Sequence, residues 1–238
     1  MRGMLGVYKR ELKSYFNSPI AYIFLVVFLL TASWLFFRGY FLYAQADLRP
    51  FFSLLPWMFL FFVPAVSMRL WAEERKQGTA ELLLTLPVKD EHIILGKYLA
   101  GLTLVSLAVF LEFPLVLLTA YLGDLDSGPV IGGFLGSIFL GGAYLAIGLF
   151  LSSMTSNQIV AFILGVVVSF ALFIVGESLV LVTAPTALAP LLRNLGLGAH
   201  FESIGRGVID TRDVIYYVSV IAFFLYLNML SLRERRWA

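Results

Sequence analysis

Apolar residues run along this chain in long blocks separated by short polar punctuation, and the length of each block decides what it can be. Crossing about 30 Å of hydrocarbon takes roughly 20 helical residues at about 1.5 Å rise each. Six blocks meet that length, at approximately 19–37, 51–70, 93–122, 130–153, 158–182 and 213–232. The pattern predicts an all-α integral membrane protein with six transmembrane helices. The third block is longer than a bilayer requires, and Pro114 within it predicts a kink or boundary. Ahead of the first block, Leu5, Tyr8, Leu12, Tyr15 and Phe16 recur at helical spacing opposite Lys9, Arg10 and Lys13. That pattern predicts an amphipathic interfacial helix over residues 1–18, after which Pro19 turns the chain into the membrane. The run from Ile20 to Phe37 outlasts a secretory h-region, and Phe36-Phe37-Arg38 is unlike a small-residue cleavage site. The first block therefore reads as a span and not as a cleaved leader.

Composition agrees with the pattern: 60% of residues are hydrophobic, 16% aromatic and only 13% charged. Soluble domains carry roughly a quarter charged residues. The absence of cysteine excludes disulfides, thiolate nucleophiles and cysteine-based metal sites. In a membrane protein the placement of Lys and Arg says more than the net charge of +2. An even number of spans puts both termini on one side. Calling that side cytoplasmic collects Arg2, Lys9, Arg10, Lys13, Arg69, Arg75, Lys76, Lys89, Lys97, Arg233, Arg235 and Arg236 there, twelve of the seventeen basic residues. Arg38, Arg49, Arg193, Arg206 and Arg212 fall outside, so the positive-inside rule predicts an N-in, C-in topology.

The fourth block is rich in small residues, including Gly132, Gly133, Gly136, Ser137, Gly141, Gly142 and Gly148, a composition that predicts close helix packing. The uncharged turn Ser152-Ser153-Met154-Thr155-Ser156-Asn157 joins it to the fifth block as a hairpin. Between Thr183 and Asp213 the chain is too polar to cross and too apolar to be a free loop. Two short outer helices are predicted there, dipping into the outer leaflet or covering a cavity, because irregular backbone at that depth must be covered by protein or face water.

The one sizeable cytoplasmic loop, residues 71–92, carries a charged interruption with its own grammar. Gly78 breaks the preceding helix, Thr79 is placed to cap a new one, Glu81 sits in its first turn where the helix dipole favours negative charge, and Pro87 stops it. So short a helix is unstable alone and must pack against something. Leu82, Leu83 and Leu86 are candidate apolar anchors, with Glu73, Glu74, Arg75 and Glu81 as charged neighbours that fix register. A lipid-facing amphipathic turn is the competing reading of the same residues.

Two acidic residues lie within or near spans, where burial costs about 2.5–3.5 kcal/mol on insertion scales. Glu112, two residues before Pro114, and Glu177, after Gly176, are candidates for a polar pathway or a subunit interface. The alternatives are a hydrogen bond to a neighbouring helix for Glu112 and a position at the outer water boundary for Glu177. No enzymatic constellation is present. His92 and His200 fall on opposite sides of the membrane, and neither H-E-x-x-H nor G-x-S-x-G occurs. Asp124 with Asp126, and Asp210 with Asp213, read as solvated turn carboxylates, and the basic residues form no stripe interleaved with aromatics, so nucleic acid is not a predicted partner.

Glu73, Gly78-Thr79, Glu81-Leu82-Leu83 and Pro87-Val88, followed by Leu95-Gly96-Lys97, resemble the cytoplasmic loop of ABC-2-type transporter permease subunits. The six-block layout, the Ser-Asn turn and the outer short helices extend the resemblance along the whole chain. Pro50 to Trp57 and His200 to Asp213 are most similar to the subgroup of gliding-motility and general export permeases. The resemblance implies a single transmembrane domain over 1–238: an interfacial helix at 1–18, spans one and two at 19–70, a coupling loop at 71–92 and spans three to five at 93–182. Outer helices at 183–212 and a sixth span with a basic tail at 213–238 complete it. It implies a permease of a bacterial or archaeal cytoplasmic membrane, in contact with lipid and paired with a second permease, identical or homologous. Each would dock a separate ABC ATPase through the helix from about Thr79 to Leu86. The chain itself is expected to bind no cofactor and to be no enzyme. ATP and Mg belong to the partner, because no G-x-x-x-x-G-K-[ST] stretch is present and Gly96-Lys97 is followed by Tyr98. Export is the expected task. The alternative is a membrane scaffold that recruits an ATPase for motility or envelope remodelling without a transported substrate.

Overall fold

The computed structural model describes residues 2–43, 46–85, 88–183, 185, 187–208 and 210–236. Among them every regular element is helical. The N-terminal helix α1 (Arg2–Asn17) is followed by α2 (Pro19–Tyr43), α3 (Arg49–Ser67), α4 (Arg69–Lys76), α5 (Thr79–Thr85), α6 (Asp90–Phe110) and α7 (Phe113–Leu122). Then come α8 (Ser127–Met154), α9 (Gln158–Ile174), α10 (Ser178–Thr183), α11 (Ala189–Leu195), α12 (Leu197–Gly205) and α13 (Thr211–Arg236).

Among the described residues five segments are long and apolar enough to cross a membrane: Pro19–Phe41, Arg49–Lys76, Asp90–Leu122, Ser127–Met154 and Thr211–Arg233. The predicted fifth block at 158–182 comes out differently, because its helix ends at Ile174 and leaves an apolar rod of 17 residues. The break has a tertiary cause. A Cβ on Gly176 would lie 2.8 Å from the Gly196 Cα, so the two backbones touch there, and the chain turns through Gly176-Glu177 before α10 begins. The region predicted to hold two short helices holds α11 and α12, with α10 occupying the tail of the fifth block.

Two other segments are interrupted, one of them where its sequence asks for it. α6 and α7 are separated at Leu111-Glu112, where the Glu112 amide bonds the Val109 carbonyl at 3.2 Å in a tight turn. Pro114 has no N–H to continue the ladder and its ring excludes the carbonyl four residues back. The junction between α3 and α4 at Met68 is not a proline break, since the Met68 amide still bonds the Pro64 carbonyl at 2.8 Å; it falls where the Ser152 hydroxyl donates to the Met68 carbonyl. Polar caps fix other starts: Asp126 accepts from the Gly128 amide at 3.1 Å to open α8, and Asn157 accepts from the Ile159 amide at 2.9 Å to open α9.

α8 is the central post, in contact with α3, α4, α6, α9, α12 and α13. Its glycines are the reason it can be. A Cβ on Gly141 would sit 2.8 Å from Val105 Cγ1; one on Gly133 would enter the Phe52 ring, and one on Gly132 the Ile204 carbonyl. Small residues thus let α3, α6 and α12 approach the α8 backbone where no hydrophobic drive between helices exists in lipid. Aromatic rings fill the gaps farther out, with Phe28 stacked on Phe59 at 5.9 Å and Phe52 edge-on to Phe134 at 5.4 Å.

Gly132→Ala is expected to lower the melting temperature of the solubilised protein by several degrees, since the methyl meets backbone and not a movable side chain. Gly6→Ala, with nothing near its would-be Cβ, is expected to leave it unchanged or raise it slightly. Thermal unfolding followed by size-exclusion fluorescence reads both, and equal melting of the two variants would contradict the packing account.

Candidate functional site

At one end of the bundle three sequence-distant helices meet around a buried cation. Lys97 on α6 has no exposed surface, and its ammonium donates to the Leu70 carbonyl at 2.8 Å. It pairs with Glu11 of α1 at 3.0 Å and Glu74 of α4 at 2.9 Å, and lies 4.8 Å from the centroid of the fully buried Trp71 ring. Arg10 closes the cluster, bonding Glu11 at 2.8 Å and reaching Glu74 as well. A lone buried ammonium would be prohibitive, and it is tolerated here because two carboxylates, a carbonyl and a ring face replace its water. Burial alone would raise the Glu11 carboxyl, but the Lys97 ammonium and the Arg10 guanidinium outweigh it and hold the group below its usual value of 4.5.

The same end is tied together by uncharged groups. Gly96 explains why α1 can sit directly on α6: a Cβ there would lie 2.8 Å from that of Val7. Tyr15 donates to the Val66 carbonyl at 3.1 Å, and the Arg69 guanidinium lies 5.4 Å over its ring. At the start of α4, the Ser152 hydroxyl at the end of α8 accepts from the Trp71 and Ala72 amides at 3.2 and 3.0 Å, and donates to the Met68 carbonyl at 2.7 Å. Arg75 donates to the Ser153 carbonyl. α4 is thus fastened to α8, α6 and α1 at once.

The predicted coupling residues divide between this internal scaffold and a free surface. Glu73 pairs with Arg69 at 3.2 Å, while Glu74 and Arg75 are engaged as described, so three of the four expected register residues hold the chain's own helices. Gly78 has φ 69°, a left-handed turn that glycine adopts without strain, and it reverses the chain between α4 and α5. Thr79 was expected to cap α5; its hydroxyl instead donates to the Glu74 carbonyl at 3.2 Å, lashing α5 back to α4. Leu83 was expected to be an outward anchor, yet it is 4% exposed and belongs to the chain's core. Glu81 and Thr85 are exposed on α5, as are Lys76, Gln77 and Gly78 ahead of it. Leu86 and Pro87, and the side chain of Leu82, lie outside the described residues. Beside this surface a cleft of about 330 Å³ opens between α1 and α4, lined by Arg10, Glu11, Tyr15, Arg69, Glu73 and Glu74.

Glu112 and Glu177 are not brought together. Glu112 sits in the α6–α7 break with one carboxylate oxygen 3.2 Å from the Ser33 hydroxyl of α2, which is the neighbouring-helix bond, and its other oxygen is buried without a hydrogen bond. Glu177 lies at the opposite end from Lys97, in the turn after α9, on the wall of a second cavity. At that end the reading of Asp213 as a solvated carboxylate is corrected. Asp213 is 6% exposed and bonds His200 Nδ1 at 2.6 Å, while His200 stacks on Tyr216 at 3.9 Å. Asp126 pairs with Arg49 at 3.4 Å besides capping α8. Among the described residues no group of three or more His, Cys, Asp and Glu is placed to hold a metal.

Comparison with family models matches residues 39–195 to the ABC-2 family transporter protein model, about two thirds of the chain. The chain belongs to the ABC-2 transporter family. No curated protein matches it. The match covers α3 to α11 and so includes α4, α5 and Lys97. Members of the family are membrane permease subunits of ABC transporters, which associate with an ABC ATPase.

No local sequence pattern groups Arg10, Glu11, Lys97 and Ser152 as a site. Their signals were present but faint: one lysine inside the apolar run that opens α6, and one carboxylate on an otherwise basic helix face. Lys97→Met is expected to cost about 3–5 kcal/mol, because it leaves two carboxylates buried without their cation. Combining it with Glu11→Gln and Glu74→Gln is expected to recover most of that loss in a denaturant titration; no recovery would mean that the charges are not coupled. For pH the sign follows from the lowered Glu11 carboxyl. Its stabilisation is complete above about pH 4.5 and is lost as pH falls through the lower folded-state value. Glu11→Gln is therefore expected to flatten the acid limb of a stability-versus-pH curve, and an unchanged limb would refute the assignment.

Proposed function

We propose that this permease is a six-span subunit of an ABC exporter in a bacterial or archaeal cytoplasmic membrane, with both termini, the Lys97 cluster and α5 on the cytoplasmic side. Two such subunits, identical or homologous, pair in the lipid. The observation that carries the reading is the way α5 is held: a short helix with an exposed face, lashed by Thr79 to an α4 that is itself tied to three other helices. A push on α5 from outside is transmitted to α1, α6 and α8 together, which is what a helix driven by ATPase closure must do. The exposed residues Lys76, Gln77 and Glu81 and the neighbouring cleft form the contact surface. Leu83 contributes by seating α5 on its own protein.

Helix direction supports the sixth span. α9 leaves the Ser152-Ser153 turn near the Lys97 end and finishes against α12 at the other, so it runs the length of the bundle despite its 17 residues. A helix of about 25 Å fits if the bilayer thins locally. The twelve basic residues gathered at the Lys97 side support the orientation. ATP and Mg are handled by the partner ATPase.

Reversing charge on the exposed face with Lys76→Glu and Glu81→Arg together is expected to reduce copurification of an ABC ATPase from native membranes at least tenfold, with membrane yield and melting temperature unchanged. Wild-type copurification would overturn the docking surface. ATPase association without movement of any substrate in reconstituted vesicles would favour the scaffold reading instead.

A further inference from the structure

The end opposite Lys97 contains a cavity of about 370 Å³ between α3, α9 and α12 whose walls are unlike those of the cytoplasmic cleft. Four aromatic residues line it: Phe52, Trp57, half exposed and set edge-on to the buried Phe173 at 5.2 Å, and Phe201 on α12. Glu177 supplies a carboxylate at the wall. Gly198 lets that carboxylate sit where it does, since a Cβ on Gly198 would occupy the position of Glu177 Oε1. The two arginines that also line the cavity are already matched with acids, Arg49 with Asp47 at 3.7 Å and Asp126 at 3.4 Å, and Arg206 with Glu202 at 3.9 Å. Among the described residues no cation pairs with Glu177.

We infer that this cavity is a binding site for an organic cation, a positively charged ammonium or phosphonium-type head on an apolar body, held between the Trp57, Phe173 and Phe201 rings with its charge on Glu177. Ring faces attract such a cation, an anion beside them adds the long-range field, and an apolar body finds the largely apolar enclosure that small-molecule sites provide. The size suits one compact head and not a folded peptide. The cation has two sources, a soluble lipophilic cation or the amine headgroup of a membrane lipid, and they share this chemistry. The inference stands apart from the ATPase reading, because binding is measured on the permease alone without nucleotide.

Equilibrium dialysis of tetraphenylphosphonium against the full-length permease in dodecyl maltoside is the test, with tetraphenylborate as an anionic probe of the same shape. Saturable phosphonium binding is expected, weakened about tenfold or more by Glu177→Gln, with borate bound at least tenfold more weakly than phosphonium. Gly198→Ala, which displaces the carboxylate and leaves its charge in place, is expected to weaken phosphonium binding in the same direction. Added phosphatidylethanolamine that competes while phosphatidylglycerol does not identifies the lipid headgroup as the source; competition by neither identifies the soluble cation. Absence of saturable binding, equal binding of the two probes, or wild-type phosphonium affinity in folded Glu177→Gln and Gly198→Ala proteins would each overturn the inference.

Discussion

A single ammonium group organises one end of this protein. Lys97 is fully enclosed, so its charge must be neutralised by the chain itself, and the two carboxylates that do so come from α1 and α4. An interaction of this kind is not a large net source of stability, because desolvation of the ions offsets most of their attraction. What it fixes is arrangement. With the cation in place, α1 has one register against α6 and α4 has one position beneath both, while the Gly96 contact and the Ser152 hydrogen bonds agree with that position.

The consequence for α5 is mechanical. α5 hangs from α4 through the Gly78 turn and the Thr79 hydroxyl, and Leu83 is sunk in the core. Had α4 been free to swing about Met68, movement of α5 would have been absorbed there. The Ser152 hydroxyl, accepting two amides at the start of α4 and donating to Met68, removes that freedom.

How far the chain could be read depended on whether the cause of a feature was local. Among the described residues, five of the six long apolar blocks, the break near Pro114 and the α4–α5 turn at Gly78 follow from neighbouring residues and are found, and the caps at Asp126 and Asn157 are equally local in cause. Features set by distant partners were not legible. Lys97 and Glu11 stand 86 positions apart, and nothing near either names the other. The end of α9 at Ile174 depends on the Gly176 backbone meeting Gly196, which no apolar count can detect. Leu83 turns inward because α4 fixes the rotation of α5, whereas leucine spacing alone allowed either face. Asp213 looked solvated until α12 brought His200 to it.

The broken third span carries one more implication. α6 is buried along much of its length against α1 and α8, whereas α7, beyond Glu112, has only Leu115 and Thr119 buried and presents Phe113, Leu117, Leu118, Tyr121 and Leu122 outward. The segment is a lever with one arm clamped inside the bundle and the other exposing an apolar face. Whatever covers that exposed arm, another subunit or the hydrocarbon of the bilayer, bears on the α6–α7 hinge at Glu112 and not on the clamped arm.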